Sequence, residues 1–156
     1  MSQHCSFNHP VRCEDEAATR ALAERLAHCL VEHRAFEKGT VLALYGDLGT
    51  GKTFFARALI QALLPDARVK SPTYTLFERY DTSYGPVYHW DLYRLCEPEE
   101  LEYVGLRDLL QPPCLHIVEW PEKGAGVLPD ADITVSGQVC GEQCRLFTVQ
   151  IGMELV

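Results

Sequence analysis

Two hydrophobic rhythms take turns along this chain. Between Asp15 and about His33, the apolar residues Ala18, Leu22, Leu26, Cys29 and Leu30 recur at helical spacing. That predicts a helix with Asp15 or Glu14 at its amino end, where a carboxylate suits the helix dipole. The next run, Thr40–Tyr45 (TVLALY), is almost wholly apolar with no alternation. Such a run predicts a strand covered on both faces, the habit of parallel sheets. After a glycine-rich turn, Phe54 to Leu64 reads as a helix stopped by Pro65. Further strands are expected near Tyr74–Tyr80, at Val87–Trp90 ending on Asp91, and at Leu115–Glu119. Short helices fit Pro98–Tyr103 and the residues after Gly105. Two late strands, near Ile133–Ser136 and Arg145–Ile151, flank a turn containing Gly141. Strands interleaved with helices, then two trailing strands, predict an α/β fold with a mixed, mostly parallel central sheet. With no internal repeat or low-complexity linker, residues 1–156 read as a single domain.

Composition narrows the function classes. The 156 residues are 47% hydrophobic and 23% charged, as in an ordinary globular protein, and the net charge is −8. That charge argues against tight, sequence-independent binding to a phosphate backbone by this chain alone. The acidic run Glu97, Glu99, Glu100 and Glu102 reads as a solvated helix face. Seven cysteines show no CxxC pair, only a lone CxxxC at Cys140 and Cys144. The start MSQHCSFNHP lacks the pattern of a signal peptide, and no apolar stretch is long enough for a membrane span. Free thiols without an export signal lead us to expect a soluble, cytoplasmic protein.

The chemistry begins at Gly46-Asp47-Leu48-Gly49-Thr50-Gly51-Lys52-Thr53, which fits G-x-x-x-x-G-K-[ST]. The glycines let backbone N–H groups converge on phosphate oxygens without side-chain clash. The following helix adds its amino-terminal partial charge. Lys52 can reach the terminal phosphates, and the Thr53 hydroxyl is placed to ligate Mg²⁺. Asp47 reads as a turn residue rather than a catalytic one. The motif lies between an apolar strand and an apolar helix, the context of a P-loop NTPase-like, three-layer domain.

Such a cradle needs an acid from a neighbouring strand. Asp91 ends VYHWD and Glu119 ends LHIVE, and parallel neighbours would bring both to the sheet edge where the cradle opens. His89, two residues before Asp91, could orient that acid or be a satisfied core histidine. Trp120 is either a lid near the nucleotide or a core aromatic. In the proline-stiffened KSPTYT segment, Ser71 or Thr73 is a candidate sensor of the terminal phosphate.

Taken in order, GDLGTGKT, VKSPTYTL, YHWDLYRL, PEELEYVGLRDLL, VEWPE and GVLPD resemble the TsaE (YjeE) family. These are bacterial P-loop ATPases needed for threonylcarbamoyladenosine modification of transfer RNA. The resemblance spans roughly Asp15 to Asp132, with Trp90 where Phe is expected. It implies that Thr53, Asp91 and Glu119 surround Mg²⁺, that Lys52 and the loop amides hold ATP phosphates, and that Ser71–Thr75 is a switch with Trp120 nearby. It also implies adenine between the Asp15–Glu16 region and the Gly141 turn. The implied partners are TsaB and the transferase TsaD, with transfer RNA reached only through them.

Rival readings are a GTPase, a small-molecule kinase and a nucleotide-gated binding module. The guanine-reading [NT]KxD is absent. A kinase lid is poorly supported, because Arg94, Arg107 and Arg145 are widely spaced. No arginine finger is evident, which predicts slow hydrolysis alone and faster hydrolysis with partners. Glu119 would either ligate the metal through water or orient the attacking water.

Overall fold

The computed structural model describes residues 5–7, 9–70, 72 and 75–152. Among them the elements run β1 (Val11–Cys13), α1 (Glu16–Glu32), α2 (Ala35–Lys38), β2 (Thr40–Tyr45), α3 (Lys52–Leu63), β3 (Phe77–Thr82) and β4 (Gly85–Asp91). There follow α4 (Glu100–Tyr103), α5 (Leu106–Leu109), β5 (Leu115–Glu119), a 3₁₀ turn (Pro121–Gly124), β6 (Ile133–Val139) and β7 (Arg145–Ile151). The strands form one sheet in the order β1-β7-β6-β2-β5-β4-β3. It is mixed, as expected. The central pairings β6–β2, β2–β5 and β5–β4 are parallel, and the flanking ones are antiparallel.

Side-chain alternation on the central strands decides what faces what. On β2, Leu42 and Leu44 enter the core under α1 and α3, while Val41 enters the opposite core. On β5, Leu115 and Ile117 join the first core and Val118 the second. Both faces are therefore covered, which is why TVLALY needs no polar alternation. α1 starts on Asp15, whose carboxylate accepts from the Ala18 N–H at 2.9 Å as an N-cap. Its apolar stripe, including Leu22, Leu26 and Leu30, packs with α3 residues Phe55, Leu59 and Ile60.

The opposite face is covered by short pieces rather than long helices. Leu92, Leu95, Leu101 and Leu106 close over Tyr88, Trp90 and Val118. The Trp90 indole N–H donates to His116 Nδ1 at 3.0 Å, and His116 Nε2 meets the Leu109 carbonyl at 2.9 Å. Nδ1 accepts, so Nε2 carries the hydrogen and donates. Burial also pushes the His116 pKa down, partly offset by that carbonyl.

Several expectations need correction. The strand expected at Tyr74–Tyr80 begins at Phe77; Tyr74 lies outside the described residues. The edge strand β1, the helix α2 and the 3₁₀ turn were not expected. Four of the seven cysteines are paired, Cys5 with Cys29 and Cys140 with Cys144, leaving Cys13, Cys96 and Cys114 free. The CxxxC is thus a disulfide, and free thiols no longer argue by themselves for a reducing compartment. Among the described residues, no helix is long and apolar enough to cross a membrane.

Candidate functional site

The site forms where β2, β4 and β5 end side by side. Register pairs Leu44 with Glu119 and Asp91 with Glu119. Alternation places Glu119 on the face of Leu115 and Ile117, and places Asp91 and His89 on the face of Val87, all toward α1 and α3. The loop leaving β2 then turns directly into α3 beneath these acids.

Glycine is required at the loop's first position. Gly46 has φ +142°, and a Cβ there would meet Thr50 Oγ1 at 2.6 Å and the Gly137 carbonyl at 2.7 Å. Gly51 caps α3 with φ +91°, a left-handed conformation that few side chains accept. Asp47 is exposed, and its carbonyl accepts from the Thr50 hydroxyl at 2.8 Å, so it builds the turn. Lys52 is buried; its ammonium donates to the Gly46 carbonyl and lies 3.4 Å from the centre of the Trp120 ring. Burial pulls the Lys52 pKa down, opposed by Glu119, Glu122, Asp91 and Asp47.

Glu119 is 2% exposed, and both its oxygens are engaged. Oε1 accepts from the Thr53 hydroxyl at 2.7 Å, and Oε2 meets His89 Nε2 at 2.6 Å. Burial alone would raise its pKa; the His89 ring, the Thr53 hydroxyl and Lys52 outweigh that and hold it below the ordinary value. His89 thus orients Glu119 across the strand pair, rather than Asp91 on its own strand. Asp91 is pushed the other way. Burial and the Glu119 charge raise its pKa, partly offset by the Tyr93 N–H, His89 and Lys52.

Leu48, Gly49, Thr50, Gly51, Lys52, Thr53, Asp91, Glu119 and Trp120 line one cleft of about 380 Å³. Trp120 is half-buried with φ +57°, and its ring lies 5.0 Å from that of Tyr93. It lines the cleft and, partly buried, also packs against the second core. A second cavity of about 520 Å³ adjoins, lined by Asp15, Glu16, Ala17, Thr19, Gly51, Phe54, Glu142, Gln143 and Arg145. Glu16 lines it. Gly141 does not, but its carbonyl accepts from Arg145 at 3.2 Å. Ser71 and Thr73 lie outside the described residues.

Sequence reasoning missed Arg145. Its Nε donates to the Gly49 carbonyl at 3.0 Å, and it lines both cavities. Only the order β7-β6-β2 brings the start of β7 beside the loop, and no local pattern announces that.

The donor set suits a hard divalent cation. Carboxylates and a hydroxyl are oxygen ligands of the kind Mg²⁺ prefers. Two acids facing a phosphate cradle would repel a bare triphosphate, and a cation between them removes the conflict.

Comparison with known proteins fits this geometry. The family model described as threonylcarbamoyl adenosine biosynthesis protein TsaE matches residues 13–146. The tRNA threonylcarbamoyladenosine biosynthesis protein TsaE of Haemophilus influenzae is 43% identical over 122 residues, covering 78% of this chain and 77% of that protein. The protein of the same name from Rickettsia bellii is 37% identical over 144 residues, covering 92% and 95%. The crystal structure of Bacillus subtilis YdiB superimposes with a TM-score of 0.66 at 24% identity, covering 94% of this chain and 88% of that one. That last likeness shows the fold.

Proposed function

The chain belongs to the TsaE family of threonylcarbamoyl adenosine biosynthesis proteins, and from that premise we propose that it binds and hydrolyses ATP within the machinery making threonylcarbamoyladenosine on transfer RNA. The observation that carries this reading is the convergence of Lys52, Thr53, Asp91 and Glu119 on one cleft, with Thr53 and Glu119 hydrogen-bonded at 2.7 Å.

In this reading the loop amides from Gly46 to Thr53 and the Lys52 ammonium hold the phosphates, and the base enters the cavity beside Glu16 and Arg145. Thr53, Asp91 and Glu119 would hold Mg²⁺, which when bound offsets charge developing on the terminal phosphates. Lys52 leaves the Gly46 carbonyl to meet the same charge. The low pKa of Glu119 keeps it a carboxylate at neutral pH. It therefore accepts a hydrogen bond from the attacking water, or from water on the metal, and does not serve as an acid. Trp120, over Lys52, limits bulk water at the reacting phosphate.

Turnover by the chain alone is expected to be slow, because among the described residues no positive charge beyond Lys52 and Arg145 lines the cleft. We place its stimulation with the partners TsaB and TsaD, and the acidic charge of −8 suits a protein that reaches RNA only through others. The test is co-purification with TsaB and TsaD, with and without ATP, alongside phosphate release. Nucleotide-dependent capture of the pair with faster hydrolysis supports the proposal. Transfer of the phosphoryl group to a small acceptor, with no capture, would replace it with a kinase.

A further inference from the structure

At the far end of α1, roughly 25 Å from its Asp15 cap, is a second cluster of reactive side chains. Cys29 and His33 are one helical turn apart, so both face the same side. Cys5 comes to that side from the amino-terminal segment. The ligand atoms of Cys5, Cys29 and His33 all lie within 4.8 Å of one another. Cys5 and Cys29 are disulfide-bonded, yet His33 Nε2 is buried beside them with no hydrogen-bond partner. A disulfide gives an imidazole nothing to bond strongly, so the buried nitrogen is a cost without a return in the oxidised state.

We propose that, once the disulfide is reduced, Cys5, Cys29 and His33 form a binding site for a soft divalent cation of the Zn²⁺ class. Two thiolates and an imidazole are the donors such ions select, and three protein ligands leave a fourth position open. His33 is held for the task, because its backbone N–H donates to the Cys29 carbonyl at 3.0 Å as α1 ends. That carboxyl end also carries the helix's negative partial charge, which favours a cation.

Loss of the S–S bond does not release Cys5. Arg25 donates to the Ser6 carbonyl and lies 4.4 Å over the Phe7 ring, pinning the neighbouring residues to α1. A dithiol reductant opens the bond by exchange: its two thiols become its own disulfide, and their protons pass to the two cysteine sulfurs. Metal binding then releases those two protons to solvent. The same three residues thus have two exclusive states, a disulfide with a bare imidazole or a metal-bound cluster.

The test uses the full chain, reduced with dithiothreitol and freed of it under anaerobic conditions, with Co²⁺ as the probe and Zn²⁺ as competitor. Expected are one Co²⁺ per chain, a thiolate-to-cobalt charge-transfer band, displacement by Zn²⁺, and no binding by the oxidised chain. Cys5→Ser and Cys29→Ser should each abolish the band. His33→Ala should weaken binding at least about tenfold. A Cys140→Ser/Cys144→Ser variant should bind as before. Circular-dichroism melts confirm that each variant folds; should Cys29→Ser fail, Cys5→Ser decides, since its side chain is outside the helix. No band in the reduced chain would overturn the proposal, as would a band unchanged in Cys5→Ser or a Co²⁺ affinity unchanged in His33→Ala.

Discussion

His89 on β4 and Glu119 on β5 meet at 2.6 Å between Nε2 and Oε2, and both side chains are sealed from solvent. The other Glu119 oxygen belongs to Thr53, at the start of α3. The acid at the end of β5 is therefore fixed from two sides before any nucleotide enters. A buried carboxylate needs such partners, because unpaired it would take up a proton instead.

Removing one partner tests whether His89 positions the acid. His89→Ala should lower the ATP turnover number by roughly 10- to 100-fold while leaving the KM for ATP nearly unchanged. With the ring gone, burial dominates and the Glu119 pKa rises, so the acid limb of the pH–rate profile should move upward. His89→Gln, which can still donate, should recover part of the rate. Steady-state kinetics across pH reads all three effects, and a merely structural histidine would leave the profile in place.

Gly46→Ala puts a Cβ against the Thr50 hydroxyl and the Gly137 carbonyl, at a φ that alanine resists. Backbone strain of about 1–3 kcal/mol is expected at such a position. At about 1.4 kcal/mol per tenfold, ATP affinity should fall roughly 10- to 100-fold, as titration calorimetry would record. Gly49→Ala meets no atom within 4 Å and should cost less, although its φ is also positive.

Trp120 lies over Lys52, whereas Trp90 is fully buried in the opposite core. When Lys52 turns toward a triphosphate, the surroundings of Trp120 change and those of Trp90 do not. ATP with Mg²⁺ should thus alter tryptophan emission in the natural protein. Trp120→Phe should abolish the change while Trp90→Phe keeps it, provided that variant is folded.

What could be read from the chain follows from how local each signal is. The loop from Gly46 to Thr53 is contiguous, and its chemistry requires those residue types, so it stood out. Asp91 and Glu119 were legible because each closes an apolar strand, and parallel pairing aligned their ends. The His89–Glu119 contact was not legible, since it depends on the register between β4 and β5. Arg145 was missed for a similar reason: 96 residues separate it from Gly49. The strand β1 has three residues at a sheet edge, too few to show a period. Cysteine pairing across 24 residues likewise depends on the amino-terminal segment folding back along α1.

His116 makes stability depend on pH. Burial holds its folded pKa below the ordinary imidazole value of about 6.5. As pH falls below that value, the unfolded chain takes up a proton that the folded chain refuses. Stability is therefore present above the window and lost on acidification through it, by at most about 1.4 kcal/mol per pH unit. Urea unfolding between pH 7 and 5.5 should show this slope. His116→Leu should flatten it while lowering stability throughout, because the Trp90 indole loses its acceptor.

Single-turnover hydrolysis by Glu119→Gln, with ATP binding measured on the same sample, is the most direct test of the site. Glutamine keeps the size of the side chain and an oxygen for Thr53, so ATP affinity should stay within a few-fold. The rate of phosphate release should fall by about 100-fold or more. Unchanged phosphate release with ATP still bound would contradict the account, because the acid fixed by His89 and Thr53 would then have no part in the chemistry.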